Sequence, residues 1–274
     1  MAGPNWPKIC EYDSNTWAVV YTDLGGSDGL DLATSPKTDH DDWTEYGSNP
    51  ILEGVGGEIR GCGLLKDPDD GEFKVLYDIV GSFCLATGTT LESLTKYSAS
   101  DDPVFSGQGS GWEEYVRHPS LYKVGSTYHM YYDGREGSAK SETGAIGHAT
   151  SSDLITWTRD AKNPILVPRV EDWEDYDLTT PCFAVINNIK YLFYAGYGGS
   201  GAPDYTHKIG YAITTDYSTF HRCAGPIIDI GGGGAWDDAS IQGPTIMIEA
   251  DGTVNLYFAG TDATDHGLGY ATLD

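Results

Sequence analysis

The sequence predicts an all-β protein with the fold of a five-bladed β-propeller, and three observations carry this prediction. A strand-turn-strand pattern recurs five times along the 274 residues. A third strand follows each copy, and in the first four copies a polar turn follows that strand. Apolar and polar residues alternate with a period of two, rich in Tyr, Phe, Val and Ile, which favours strands over helices. Four antiparallel strands repeated around an axis form a propeller.

Each repeat starts at a short segment, usually marked by proline, that leads into its first strand. The stretch YVRHPSLYKVGSTYHMYYD (115–133) shows the pattern: an alternating strand, a tight turn and a second, aromatic strand. The repeats align at Pro7, Cys62, Pro119, Pro181 and Pro244. We therefore expect a single domain, 1–274, whose blades span about 1–53, 54–106, 107–167, 168–228 and 229–274.

The second halves of the repeats are also similar to each other. The segment IGHATSSDLITWTRDAKNPIL (146–166) predicts a third strand, a polar turn and a fourth strand that ends at proline, and IGYAITTDYSTFHRCAGPII (209–228) repeats this order. The last repeat ends in LGYATLD, which supplies only a third strand. We expect the last blade to have three strands and to expose a sheet edge, a surface for self-association or for joining a larger assembly.

The charge of the chain is strongly negative and excludes one class of partner. Asp and Glu number 41 against 16 Lys and Arg, a net charge of −25, and the acids are spread along the whole sequence. We interpret this as adaptation to high salt, where ions screen the repulsion; the alternative is an ordinary acidic protein. Nucleic acid is excluded as a partner because phosphate binding needs a basic face.

The sequence also bears on location and cofactors. Its apolar runs are too short for a membrane span, and the N-terminal segment MAGPNWPKIC lacks the apolar stretch of a secretory signal. We expect a cytoplasmic protein, or one incorporated in a virion-type particle, in a high-salt environment. The cysteines are scattered without a CxxC pair, so we expect free thiols and no metal or other cofactor. They are Cys10, Cys62, Cys84, Cys182 and Cys223.

The segment ATSSDLITWTRDAKNPIL and the prolines before the first strands resemble the five-bladed propeller glycoside hydrolases, family 43 and its family 32 relatives, over essentially the whole chain. The resemblance implies that catalytic acids stand where the first strands begin. They would be an Asp before the proline of blade one, an Asp before the proline of blade three, and a Glu two residues before the proline of blade four. Glycoside cleavage needs two opposed carboxyl groups.

This chain departs from that pattern at all three positions, which hold Trp6, His118 and Thr179. Trp and Thr do not titrate near neutral pH, and although His does, one His does not replace a pair of acids. Arg117-His118-Pro119 also resembles the Arg-Asp-Pro triplet of the invertases with its Asp replaced. The leading interpretation is a non-catalytic propeller that binds a glycan, or serves as an attachment or structural module on a virion or another surface.

The alternative is an active glycoside hydrolase with a rearranged acid set, in which Glu58, Asp177 and His118 are catalytic. Otherwise Glu58 and Asp177 pair with Arg60 and Arg117 in a structural plug. The candidate ligand-binding residues are Trp6, Arg60, Arg117, His118 and Gln242 near the axis, and Arg135, Tyr205 and His207 in the loops between second and third strands. The expected partner is a glycan or cell-surface saccharide.

A Trp-acid-acid triplet precedes the first strand in three repeats, at 112–114, 173–175 and 236–238. Sugars stack on aromatic faces while carboxylates accept their hydroxyls, so a binding role is one interpretation. Recurrence at one position of the repeat favours the other interpretation, packing between blades.

Overall fold

The computed structural model describes residues 4–23, 29–39, 42–55, 59–137, 143–169, 173–198, 206–262, 264 and 266–273. They form five antiparallel sheets around one axis, which confirms the predicted five-bladed propeller. Among these residues no helix is long and apolar enough to cross a membrane. All five cysteines are free thiols, three of them buried.

The first two blades each have a fourth strand made of two short pieces that both pair with the third strand. Blade one contains β1 (Pro4–Glu11), β2 (Thr16–Asp23), β3 (Gly29–Pro36), β4 (Thr44–Glu45) and β5 (Leu52–Glu53). Blade two contains β6 (Ile59–Lys66), β7 (Phe73–Ile79), β8 (Ser82–Gly88), β9 (Thr95–Lys96) and β10 (Phe105–Ser106). Two short 3-10 turns lie at Leu91–Ser93 and Gly111–Glu113.

Blades three and four have four strands each, and the last blade has three, as the sequence predicts. Blade three contains β11 (Tyr115–Val124), β12 (Thr127–Arg135), β13 (Gly144–Ser151) and β14 (Thr158–Arg159). Blade four contains β15 (Asp177–Ile186), β16 (Ile189–Tyr197), β17 (Lys208–Thr214) and β18 (Phe220–Arg222). Blade five contains β19 (Ser240–Ile248), β20 (Val254–Thr261) and β21 (His266–Leu273). Within the described ranges, no strand pairs with the outer edge of β21.

The tryptophans of the three Trp-acid-acid triplets stack on aromatic residues of the second strands. This contact favours the packing interpretation of the triplets. Trp112 stacks on Tyr132, Trp173 on Tyr194 and Trp236 on Phe258, with ring centroids 6.3, 6.3 and 6.0 Å apart. Glycines make room for the indoles: a Cβ on Gly210 would lie 2.6 Å from the Trp173 ring. The buried Glu113 carboxylate accepts from Tyr132 Oη and Arg159 Nε, at 2.8 and 2.7 Å. In two of the triplets the first acid, Glu113 or Glu174, is buried, whereas Trp236 of the third is 42% exposed although it stacks on its blade.

The first strands of the blades line the axis, and each carries a β-bulge near its start. The register against the second strand shifts between Asn5 and Lys8, Ile59 and Cys62, Arg117 and Ser120, Thr179 and Cys182, and Gln242 and Thr245. At the bulge Trp6, His118 and Thr180 have φ of 46°, 48° and 49°. This left-handed backbone is unfavourable for such residues and persists only where the surroundings fix it.

The bulges correct one alignment made from sequence. Cys62 follows the bulge of blade two, as Ser120 follows that of blade three, so Gly61 and not Cys62 occupies the proline position. The physical reason is space: a Cβ at Gly61 would lie 3.1 Å from His118 Cδ2. In this register the counterpart of Asp177, four residues before the proline position, is residue 57 and not Glu58.

Neighbouring first strands contact each other around the axis, and contact between β1 and β19 closes the ring. The Ile9 N–H donates to Thr245 Oγ1 at 3.0 Å, which joins blade one to blade five. The Phe183 N–H donates to Ser120 Oγ at 3.1 Å, which joins blade four to blade three. The residues that follow the five bulges form a post-bulge ring around the axis: Lys8, Cys62, Ser120, Cys182 and Thr245. We call the end of the axis where the first strands begin the upper end.

Candidate functional site

Charged and polar side chains converge at the upper end of the axis. They come from the starts and bulges of first strands, from the last residues of second strands, and from the residue before a third strand. We call this group the upper cluster. It consists of Trp6, Asp78, Arg117, His118, Asp133, Arg135, Asp177 and His207.

Asp133, at the end of β12, is the centre of the upper cluster. It is fully buried, and its Oδ1 accepts from the Thr180 N–H at 3.1 Å and lies 2.7 Å from His118 Nδ1. Its Oδ2 lies 3.5 Å from Arg135 Nη2 and 3.9 Å from Arg117 Nε. Burial alone would raise the pKa of Asp133, but His118 and the two arginines hold it well below its usual value. Asp133 is therefore a permanent anion.

His118 is a neutral imidazole with a defined tautomer. Burial lowers the pKa of His118, although Asp133 opposes the change. Because an ionised carboxylate can only accept, the proton lies on Nδ1 and is donated to Asp133. Nε2 then carries a lone pair, is buried, and has no hydrogen-bond partner. The indole of Trp6 lies beside this ring, with centroids 4.9 Å apart.

Asp177 pairs with residues other than those expected from the sequence. Its Oδ2 lies 3.6 Å from Arg135 Nη2 and 3.6 Å from His207 Nε2. Arg117, the partner expected from the sequence, lies against Asp133 instead. Arg135 thus bridges two carboxylates, and Asp177 is buried beside it.

Asp78, at the end of β7, differs from the other two carboxyl groups. Both of its oxygens are buried without a well-formed hydrogen bond, and the Gly81 N–H offers only a weak interaction. Burial raises the pKa of Asp78 to about 7; the Arg117 guanidinium opposes this and the Asp133 carboxylate reinforces it. Asp78 is therefore about half protonated at neutral pH and largely protonated in acid.

Unsatisfied polar atoms concentrate in the upper cluster. They are Trp6 Nε1, both oxygens of Asp78, Nε and Nη2 of Arg117, His118 Nε2, Asp133 Oδ2, Arg135 Nε and Asp177 Oδ1. Folded proteins leave few buried polar groups unpaired, so such a concentration calls for an explanation. The set contains both donors and acceptors, which is the requirement for binding a ligand rich in hydroxyl groups.

The structure places most of the sequence candidates at this end of the axis. Trp6 and Arg60 lie within bulges, and Gln242 lies directly before one; all three are half-buried. Arg135 and His207, expected in loops, stand beside Asp177. Glu58 and Tyr205 lie outside the described residues.

Asp133 and Asp78 were missed by the sequence reasoning, which considered first strands and loops. A signal for Asp133 was present: once the β11–β12 hairpin is aligned, Asp133 stands directly opposite Arg117. Asp78 has no such signal, since its electrostatic partner Arg117 belongs to the next blade. No group of three or more His, Cys, Asp or Glu among the described residues has the arrangement of a metal site.

The comparisons with known proteins give a likeness of structure. No protein-family model matches the sequence, and no curated protein matches it. A thermostable family-43 glycoside hydrolase superposes with a TM-score of 0.76 at 16% identity, over 100% of this chain and 90% of that one. A glycosyl hydrolase from Bacteroides ovatus gives 0.73 at 19% identity, over 98% and 84%.

A third solved structure comes from work on the GH130 family of mannoside phosphorylases. That family contains glycoside hydrolases that target β-1,2 mannosidic linkages in Candida mannan. The structure gives a TM-score of 0.68 at 18% identity, over 98% of this chain and 84% of that one. At such identities the likeness concerns the fold. The resemblance read from the sequence is confirmed at that level: along its whole length, the chain has the fold of the five-bladed propeller glycoside hydrolases.

Proposed function

We propose that the chain binds a saccharide at the upper end of the propeller axis and does not hydrolyse it. The observation that carries this proposal is the concentration of unsatisfied donors and acceptors in the upper cluster. A sugar hydroxyl both donates and accepts, so one ring can pair with arginine N–H groups and carboxylate oxygens together. The fold likeness to glycoside hydrolases supports the same class of ligand.

Trp6 supplies the apolar part of such a site. Its indole is half-buried, and its Nε1 has no hydrogen-bond partner. Sugar rings present apolar C–H faces that stack on aromatic rings, and an N–H at the edge of the indole donates to a hydroxyl. The left-handed backbone at Trp6 orients this ring, and backbone strain of this kind is common at ligand sites.

The carboxyl groups of the upper cluster argue against hydrolysis. Cleavage needs a protonated carboxyl group that reaches the leaving oxygen and a second, ionised carboxylate about 5 to 9.5 Å away. Asp133 is ionised and enclosed by His118 and two arginines, and Asp177 lies between Arg135 and His207. Asp78 has a raised pKa, but the ionised carboxylate that it interacts with is Asp133, which His118 and the two arginines hold.

One observation favours the second candidate, an active glycoside hydrolase with a rearranged acid set. A carboxyl group with a pKa of about 7, such as that of Asp78, suits a general acid near neutral pH. In that case the acid would be Asp78 or Glu58, and Asp177 or His118 would act as its counterpart. Turnover that disappears in Glu58→Gln, Asp177→Asn or Asp78→Asn would establish this candidate.

A glycan array followed by titration calorimetry tests the proposal. The array is run in dilute buffer and in molar salt, because salt screens the net charge of −25 and so changes how the protein interacts with charged saccharides. The best saccharide is then titrated into the wild type, Trp6→Asn and His118→Asn. Asn tolerates the left-handed backbone at both positions, so these variants change the side chain with little backbone strain.

We expect Trp6→Asn to weaken binding about tenfold, a change worth about 1.4 kcal/mol. Tyr97→Asn is the matched control, since Tyr97 is an aromatic residue exposed on the outside of blade two. Equal affinities for the wild type and Trp6→Asn, or an array without signal in either buffer, would overturn the proposal.

We further propose that the open edge of β21 carries the attachment or assembly role of this module on a virion or another surface. The support is the absence, within the described ranges, of a strand that pairs with this edge, and the exposure of Tyr270 on it. Light scattering of the wild type and of Tyr270→Lys tests self-association. A wild-type protein that stays monomeric at every protein and salt concentration tested would contradict self-association through this edge.

A further inference from the structure

A cavity lies on the axis below the post-bulge ring, on the opposite side of that ring from the upper cluster. It has a volume of about 350 Å³ and is lined by the first strands of all five blades. Its inner wall contains Lys8, Ser120 and Thr245 of the post-bulge ring, and its rim includes the exposed Ile248. The volume is within the range of small-molecule sites, about 300 to 1,000 Å³.

Lys8 separates this lower cavity from the upper cluster. Its side chain reaches from blade one to blade four, which are not neighbours, and Nζ donates to the Pro181 carbonyl at 3.3 Å. The residue is 6% exposed. No carboxylate of the described residues lies within ion-pair distance of its ammonium group. The protein therefore buries a cation whose hydrogen-bond partner is a neutral carbonyl.

A buried cation without a counter-ion is unfavourable, and an anion beside it removes the cost. The ammonium group has three N–H donors and gives one of them to Pro181. Its charge reaches the two thiols of the ring, because it lowers the pKa of Cys62 and Cys182 against the larger effect of their burial. The positive potential is thus centred inside the ring.

Two hydroxyl groups of the wall add hydrogen-bond donors to the ammonium group of Lys8. Ser120 Oγ and Thr245 Oγ1 each accept from a backbone N–H of a neighbouring blade, at 3.1 and 3.0 Å. Their own hydroxyl protons remain available for donation into the cavity, since no described acceptor takes them. Two hydroxyl protons and an ammonium group therefore face one space.

The rest of the wall is apolar and includes Leu64, Tyr122, Val185 and Ile246. A ligand that fits both the hydrogen-bond donors and the apolar part of the wall has an anionic head and an apolar body. We propose that the lower cavity binds a small organic carboxylate with an aromatic or branched aliphatic body. The carboxylate lies against Lys8, Ser120 and Thr245, and the body points toward Ile248. This site is independent of the saccharide site.

Phenylacetate is the probe, because it has a carboxylate head and an aromatic body. Its binding is measured by calorimetry against phenylacetamide, which has the same shape without charge, and 2-phenylethylammonium, which has the opposite charge. We expect phenylacetate to bind at least tenfold more tightly than the amide, and the ammonium compound not to bind. Equal affinity for phenylacetate and the amide would overturn the proposal.

Two variants test the assignment to this cavity. Lys8→Met keeps the length of the side chain and removes its charge, and it should weaken phenylacetate binding at least tenfold. Lys190→Met is the matched control, since its ammonium group lies on the exposed side of blade four. Ile248→Trp fills the exposed rim without touching the core, so it keeps the proposal testable if Lys8→Met does not fold.

Ile248→Trp should weaken phenylacetate binding and leave saccharide binding at the upper end unchanged, which separates the two proposals. Unchanged phenylacetate binding in both Lys8→Met and Ile248→Trp would show that the anion binds elsewhere.

Discussion

Replacing Asp78 by Asn should stabilise the protein at alkaline pH and not at acid pH. The carboxyl group is fully buried, neither oxygen has a well-formed hydrogen bond, and its pKa is raised to about 7 from an ordinary 3.8. The folded chain therefore holds this proton more tightly than the unfolded chain does. The stability that the protonated Asp78 carboxyl group contributes is complete below about pH 4 and is lost as the pH rises through about 7.

The size of the effect follows from the two pKa values. Each tenfold difference in proton affinity is worth 1.36 kcal/mol, so the whole change between acid and alkaline pH is about 4 kcal/mol. Of this change in the free energy of unfolding, about 3 kcal/mol falls between pH 5 and pH 8. Asn has nearly the shape of the neutral carboxyl group and does not ionise, so Asp78→Asn removes this loss.

Urea denaturation of the wild type and Asp78→Asn at pH 5 and pH 8 measures the difference. The free energy of unfolding of the variant, relative to the wild type, should increase by about 3 kcal/mol between the two pH values. Glu53→Gln, the same change of acid to amide at an exposed residue, should show no such increase. A relative stability that does not change with pH would contradict the raised pKa and would show that folded Asp78 is ionised and paired with Arg117.

Three further predictions concern stability. Burial lowers the pKa of His129 to about 4 from 6.5, so the stability that its neutral form contributes above about pH 6.5 is lost as the pH falls through about 4. His129→Gln should reduce the loss of stability in acid by about 3 kcal/mol in urea denaturation, and an equal loss in the wild type and the variant would contradict this. Gly210→Ala puts a Cβ 2.6 Å from the Trp173 ring and should cost about 1 to 3 kcal/mol in the same melts, whereas Gly232→Ala, with open space around it, should be neutral. Removing salt should lower the thermal midpoint, because at 0.01 M the Debye length is about 30 Å and the net charge of −25 repels itself; equal midpoints in dilute buffer and molar salt would exclude adaptation to salt.

The fold could be predicted from the sequence because every blade repeats the same local signals. Proline marks the bulge in four of the first strands, where a missing N–H does no harm. Blade two has Gly61 at that position, where a Cβ would lie 3.1 Å from the His118 ring of blade three, closer than in ordinary packing. That constraint comes from a neighbouring blade, so the sequence alone placed Cys62 there.

The site could be predicted only in part. Trp6, His118 and Thr179 were expected near the axis because they occur at the start of first strands, and they lie there. Asp133 and Asp78 end aromatic second strands, and their environment depends on side chains of other strands and blades. Lys8 gains its role from Pro181, 173 positions away, when the ring closes. No local pattern encodes such contacts.

Saccharide binding without cleavage is tested by following both processes in one sample. The preferred saccharide is titrated while tryptophan fluorescence reports binding at Trp6 and released reducing ends report hydrolysis. We expect a saturable fluorescence change, an affinity about tenfold weaker in Trp6→Asn, and no reducing ends above the buffer blank over a day. Reducing ends that accumulate with the wild type and disappear in Asp177→Asn or Glu58→Gln would contradict binding without cleavage and establish a hydrolase.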